Sequence, residues 1–137
     1  MNFHHIGIYV KNINVALNEF KKVFPGIKVS KLIIVKIFKV KVVFIRINKN
    51  LIYELIEPFS KKNPLYISYN KKKFSIHHIG YYVQNIHESI KKLKKNGYIQ
   101  ITDLKYSEAL KTEVVFLISK LSIVTELVSH EPKIYFK

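Results

Sequence analysis

The chain has no cysteine, which excludes disulfide staples and thiolate metal sites while leaving the redox compartment open. Four glycines are too few for a loop that cradles a nucleotide's phosphates, and no nucleophile-elbow motif occurs. No apolar run approaches the roughly 20 residues of a membrane span, and the first residues lack a signal peptide's apolar centre. The expectation is a cytoplasmic protein with no membrane partner.

Arginine is nearly missing as well. Arg46 is the single arginine among 24 basic residues, although the formal net charge is +15. A charge of that size ordinarily points to a polyanion, but surfaces that read phosphates and base edges favour the planar, bidentate guanidinium. Lysines spread along the chain describe a solvated surface instead, so no nucleic-acid partner is expected. Their field favours a small anionic substrate.

What is present is a globular composition, 48% hydrophobic and 24% charged, and a repeat. "FHHIGIYVKNI" begins at residue 3 and "IHHIGYYVQNI" at residue 76. Aligning 4–23 with 77–96 gives ten identities in twenty ungapped positions, among them His4/His77, His5/His78, Gly7/Gly80, Tyr9/Tyr82 and Asn12/Asn85. Each copy reads as a strand followed by a helix, with Ile13, Leu17, Phe20 and Phe24 on one face of the first helix and Ile86, Ile90 and Leu93 on one face of the second. Pro25-Gly26 and Gly97 are the stops. β-rich runs follow at 27–35, 38–47 and 51–57, then at 98–104, 112–118 and 122–128. The repeat continues through them, because "VVF" at 42–44 recurs at 114–116 and "YEL" at 53 answers "TEL" at 125.

The fold class is therefore α+β, two tandem βαβββ modules: module one 1–58, a linker 59–75 with Asn63, Pro64 and Asn70, module two 76–129, and a tail 130–137. Neither module buries enough alone, so the two are expected to share one curved, open, eight-stranded mixed sheet in a single domain. Helices would lie outside and a concave cleft inside.

Side chains alternate across a strand. His4, Ile6, Ile8 and Val10 share the face that packs under the helix. His5, Gly7 and Tyr9, like His78, Gly80 and Tyr82, take the open face, which leaves His4 and His77 as packed or edge histidines. The last strand of each module carries a carboxylate in an apolar run, Glu54 in "LIYELIEP" and Glu126 in "SIVTELVSH". A carboxylate there is costly unless something cationic meets it. Two histidines and two glutamates at nearly equal spacing in a duplicated chain offer a nitrogen and oxygen ligand set for one divalent first-row ion: zinc, nickel, cobalt, manganese or iron. Glu57 reads as a solvated edge residue, His87 has no evident partner, and His130 reads as surface. Tyr9 and Tyr82 read either as a stacking wall of the cleft or as sheet packing.

The paired "HHIGIYV" and "HHIGYYV" strands, with "YELIEP" and "TELV" closing the halves, resemble the vicinal oxygen chelate superfamily of glyoxalase I, methylmalonyl-CoA epimerase, extradiol dioxygenases and bleomycin-resistance proteins. "ELIEP", Ser60 and Pro64 bring it nearest the epimerase and small glyoxalase branch. That resemblance implies His5, Glu54, His78 and Glu126 as metal ligands. It also implies an isomerase or epimerase that removes an α-proton through a metal-stabilised enolate, on an anionic thioester or related carbonyl compound. Glu126 is the first candidate for the base and Glu54 the second. Lactoylglutathione lyase and a non-catalytic drug-binding module are the alternatives the family offers, and dimers are common in it. The epimerases carry a further acidic base before the "VVF" strand, and Ile37 stands at the aligned position here.

Overall fold

In the computed structural model, residues 1–63 and 75–137 are described. Residues 64–74, most of the expected linker with its Pro64, Asn70 and lysine run, lie outside them. The described residues form ten strands of mixed direction and two α-helices, an α+β fold. They fall into two compact units: unit one comprises Ile6–His77 with Ile134–Lys137, and unit two comprises Met1–His5 with His78–Lys133. No helix among the described residues is long and apolar enough to cross a membrane.

Unit one holds the second half of β1 (Asn2–Tyr9), then α1 (Ile13–Val23), β2 (Lys28–Val29), β3 (Ile33–Val35), β4 (Val40–Asn48) and β5 (Leu51–Pro58). β5 runs antiparallel to β4 and parallel to β1, while β2 and β3 pair with β4. Ile13, Val43, Ile45 and Leu55 form its core, covered by Ile8, Val10, Ala16, Leu17 and Phe20. A fully buried side chain of this kind contributes about 1.5–3 kcal/mol. Phe24 departs from the expected face: α1 ends at Val23, and Phe24 caps it with 38% of its surface exposed. The tail returns to this unit, where Phe136 bridges Ser30 and lies under the Arg46 guanidinium at 4.3 Å.

Unit two repeats the plan with the end of β6 (Ile76–Tyr82), α2 (Ile86–Lys95), β7 (Ile99–Gln100), β8 (Lys105–Ser107), β9 (Thr112–Ile118) and β10 (Val124–Val128). β10 is parallel to β6 and antiparallel to β9. Val83, Ile86, Leu93, Val115, Leu117 and Leu127 form the core.

The repeated asparagines explain where both helices begin. Asn12 Oδ1 accepts the Val15 N–H at 3.0 Å and Asn85 Oδ1 accepts the Glu88 N–H at 3.1 Å, each satisfying a donor that a helix start leaves without a partner. α2 ends in a Schellman turn. Tyr98 N–H bonds Leu93 O, Gly97 N–H bonds Lys94 O, and Gly97 takes φ 89°, a conformation that favours glycine.

Ten strands replace the eight expected because the run 27–35 breaks into β2 and β3, and the run 98–104 holds only β7 while β8 forms beyond it at Lys105–Ser107. Ser30 Oγ accepts the Phe44 N–H at 2.9 Å, and Thr102 Oγ1 accepts the Phe116 N–H at 3.0 Å. A hydroxyl thus takes the place of a ladder carbonyl at equivalent points of the repeat, interrupting pairing before β3 and before β8.

Candidate metal centre

In unit two the parallel register of β6 and β10 sets Glu126 opposite Gly80. Leu127 points into the core with α2, so its neighbour Glu126 points to the other face of the strand, which His78 shares with Gly80 by alternation. His5 joins them from the first half of β1. Its Nε2 lies 2.9 Å from His78 Nε2 and 3.6 Å from Glu126 Oε1, and His78 Nε2 lies 3.8 Å from Glu126 Oε2.

Gly80 is what makes this approach possible. A Cβ built there would overlap the His5 ring, with Nδ1 at 2.5 Å and Nε2 at 2.7 Å. The His78 ring meets Phe116 edge to face at 5.2 Å. The other nitrogen of His5, Nδ1, is 2.8 Å from Nδ1 of His4.

Alternation had suggested an open face. Instead His5 is 0%, His78 2% and Glu126 3% exposed, so the polar group is withdrawn from water. Packing by Phe116 and by the His4 and His5 rings against one another accounts for part of that burial.

Two imidazoles and a carboxylate fit a first-row divalent ion. With metal–nitrogen bonds of about 2.1 Å, two ligands at right angles sit about 3.0 Å apart and none exceeds about 4.2 Å; separations of 3.6 and 3.8 Å fall inside that range and 2.9 Å lies at its lower edge. A buried carboxylate also calls for positive charge nearby.

Unit one repeats the glycine–glutamate pairing on its own strands. Gly7 stands opposite Glu54 in the parallel register of β1 and β5. Leu55 enters the core, so Glu54 faces the other way, and it is 5% exposed. Tyr9, two residues beyond Gly7, is buried, whereas Tyr82 is half-buried with its ring edge-on to His4 at 6.4 Å.

Other expectations fare differently. Glu57 is no solvated edge residue: its Oε2 accepts the Ile13 N–H at 2.9 Å and its Oε1 lies 3.8 Å from Lys41 Nζ, because a helix start presents unpaired donors and positive potential. His87 and His130 are exposed, and His130 Nε2 bonds Thr112 Oγ1 at 3.1 Å. His77 is half-buried. Sequence reasoning missed the contact of His4 with His5, although the doubled histidine was its signal, and it missed Phe116, whose signal was the recurring "VVF".

The profile of the glyoxalase/bleomycin resistance protein/dioxygenase superfamily matches residues 4–116. The chain belongs to this superfamily. Among solved structures, a hypothetical protein from Bacillus halodurans is 29% identical over 96% of this chain and 94% of its own, with a TM-score of 0.77. A Streptomyces coelicolor methylmalonyl-CoA epimerase in complex with 2-nitronate-propionyl-CoA aligns at 0.82 and 18% identity, over 95% of this chain and 94% of that one. The methylmalonyl-CoA epimerase of Mycobacterium tuberculosis aligns at 0.80 and 17%, over 96% and 88%. At those identities the epimerases share the fold. No curated protein matches the chain significantly.

Proposed function

We propose that the protein is a metal-dependent isomerase or epimerase that moves an α-proton on a small anionic thioester or related carbonyl compound. The observation that carries the reading is the buried group of His5, His78 and Glu126, whose nitrogen and oxygen atoms converge within 3.8 Å. Glu54 is the fourth ligand in this reading, because it repeats Glu126 in register, in burial and in the glycine it faces. The superfamily fold and the epimerases among its structural neighbours support the same assignment.

A bound divalent ion would supply positive charge beside the substrate carbonyl, stabilising the negative charge that develops on oxygen as the proton leaves. His5 and His78 would hold that ion through neutral ring nitrogens. Glu126 takes the α-proton and returns it, with Glu54 as the second carboxylate able to do so. Burial of Glu126 keeps bulk water from competing for the proton. Ile37, where the epimerase pattern would have an acidic base, has an apolar and 45% exposed side chain, and this reading therefore assigns proton transfer to Glu126 and Glu54. The lysine-rich surface, with net charge +15, favours an anionic substrate.

The test begins with bound-metal content after incubation with a divalent panel and desalting, comparing wild type with Glu126→Gln. About one ion per chain, weakened in the variant, is expected. The loaded protein should then catalyse solvent deuterium incorporation at the α-carbon of methylmalonyl-type thioesters. Conversion of the methylglyoxal–glutathione hemithioacetal without such exchange would move the assignment to a lyase. No retained ion would leave a ligand-binding module.

A further inference from the structure

We infer that His4 is a positioning residue that determines which nitrogen of His5 faces the ion; this rests on the metal reading above. The two rings meet through Nδ1 of each, 2.8 Å apart, so one Nδ1 carries a proton and the other accepts it. His5 Nε2 is the nitrogen aimed at His78 Nε2 and Glu126. A neutral imidazole has one N–H and one lone pair. If His5 is to offer its Nε2 lone pair to a cation, its proton must sit on Nδ1 and donate to His4 Nδ1, which places the His4 proton on Nε2. The opposite polarity, with His4 donating, would put a proton on His5 Nε2, between the two ligand nitrogens.

His4 is built to hold this role. It is 9% exposed, its backbone is fixed in β1, and its ring stands edge-on to Tyr82 at 6.4 Å and to His5 at 5.1 Å. All of these residues lie in unit two, so the contact belongs to one compact body. Histidine ligands ordinarily give their second N–H to a carboxylate or a backbone carbonyl. Here the acceptor is another imidazole, adjacent in sequence, which makes the doubled histidine of β1 a ligand together with the group that orients it.

Asparagine, glutamine and leucine at position 4 separate this role from packing. The Oδ1 of asparagine falls near the place of histidine Nδ1, whereas the glutamine oxygen reaches one bond further. Zinc affinity, measured by competition with a chromophoric chelator, should fall 10–100-fold in His4→Leu and His4→Gln and stay within about threefold of wild type in His4→Asn. In zinc-loaded protein with ¹⁵N-labelled histidine, His5 should show its proton on Nδ1 and His4 on Nε2. Equal affinity across the folded variants, or a His5 proton on Nε2 in the loaded wild type, overturns the inference. Should His4→Leu fail to fold, the asparagine and glutamine variants decide alone. A wild type that retains no zinc overturns the metal reading itself and this inference with it, a result distinguishable because it needs no variant.

Discussion

A methyl group at Gly80 would enter space that the His5 imidazole already fills. The built Cβ lies 2.5 Å from Nδ1 and 2.7 Å from Nε2, against an ordinary contact that begins at 3.4 Å, and it overlaps Cε1 outright. Gly80 cannot retreat, because it is held in the β6–β10 ladder opposite Glu126. The ring must therefore move by roughly 1 Å, several times the ±0.2 Å within which metal–ligand distances hold. Two consequences follow for Gly80→Ala. Ion-free protein should lose about 1–3 kcal/mol of stability in urea unfolding, as overpacked sites do. Zinc affinity should fall at least about 100-fold, the upper end for loss of a group that merely orients a ligand. Gly97→Ala is the control: with φ 89° and Lys120 against it, it should cost about 1–2 kcal/mol of stability and leave zinc affinity unchanged. Wild-type urea midpoint and zinc affinity in Gly80→Ala would refute the placement of His5 over Gly80, and equal loss of zinc in both variants would show that affinity merely follows stability.

The helix caps predict matched losses: Asn12→Ala and Asn85→Ala should each destabilise by about 1 kcal/mol, read from urea midpoints at unchanged slope. Glu57→Gln should cost about 1 kcal/mol by weakening the charged acceptor at the start of α1; an unchanged midpoint would show that the negative charge of Glu57 contributes nothing there. Zinc at 100 times its dissociation constant should raise stability by about 2.7 kcal/mol, reversed by chelator and absent in a His5→Ala, His78→Ala double variant. Deleting Leu121, 81% exposed in the β9–β10 connection, should leave fold and zinc binding intact, while deleting Thr125 within β10 should abolish both.

The helices were legible because their apolar period and their asparagine starts say the same thing, and the faces of β1, β5, β6 and β10 followed from alternation alone. The break between β2 and β3 was not. Ser30 and Thr102 read as ordinary strand residues, and only the fold shows their hydroxyls taking the N–H groups of Phe44 and Phe116. Glu57 was misjudged for a similar reason: its neighbours in sequence say strand edge, whereas its partner is a helix N-terminus 44 positions away. Burial of the histidines was invisible too, since alternation tells which face a side chain takes and nothing of what covers that face.

The candidate site was legible because the duplication protects it, and the one length difference between the copies shows how. His5 and His78 are 73 positions apart, and so are Asn12 and Asn85, whereas Ser30 and Thr102, Phe44 and Phe116, and Glu54 and Glu126 are each 72 apart. The lost residue therefore lies between the end of the helix and the first short strand, where the six residues "KVFPGI" at 22–27 correspond to the five of "KNGYI" at 95–99. A turn absorbs such a change by altering its cap, here the Schellman turn at Gly97. The same deletion inside β10, ahead of Glu126, would have shifted its alternation by one residue, turning Glu126 toward α2 and Leu127 into its place. Copies that diverged freely in length would have placed the indel anywhere exposed. This one sits where neither the glycine–glutamate register within each unit nor the face of either histidine depends on it, so the near-equal spacing of histidine and glutamate survives in the sequence.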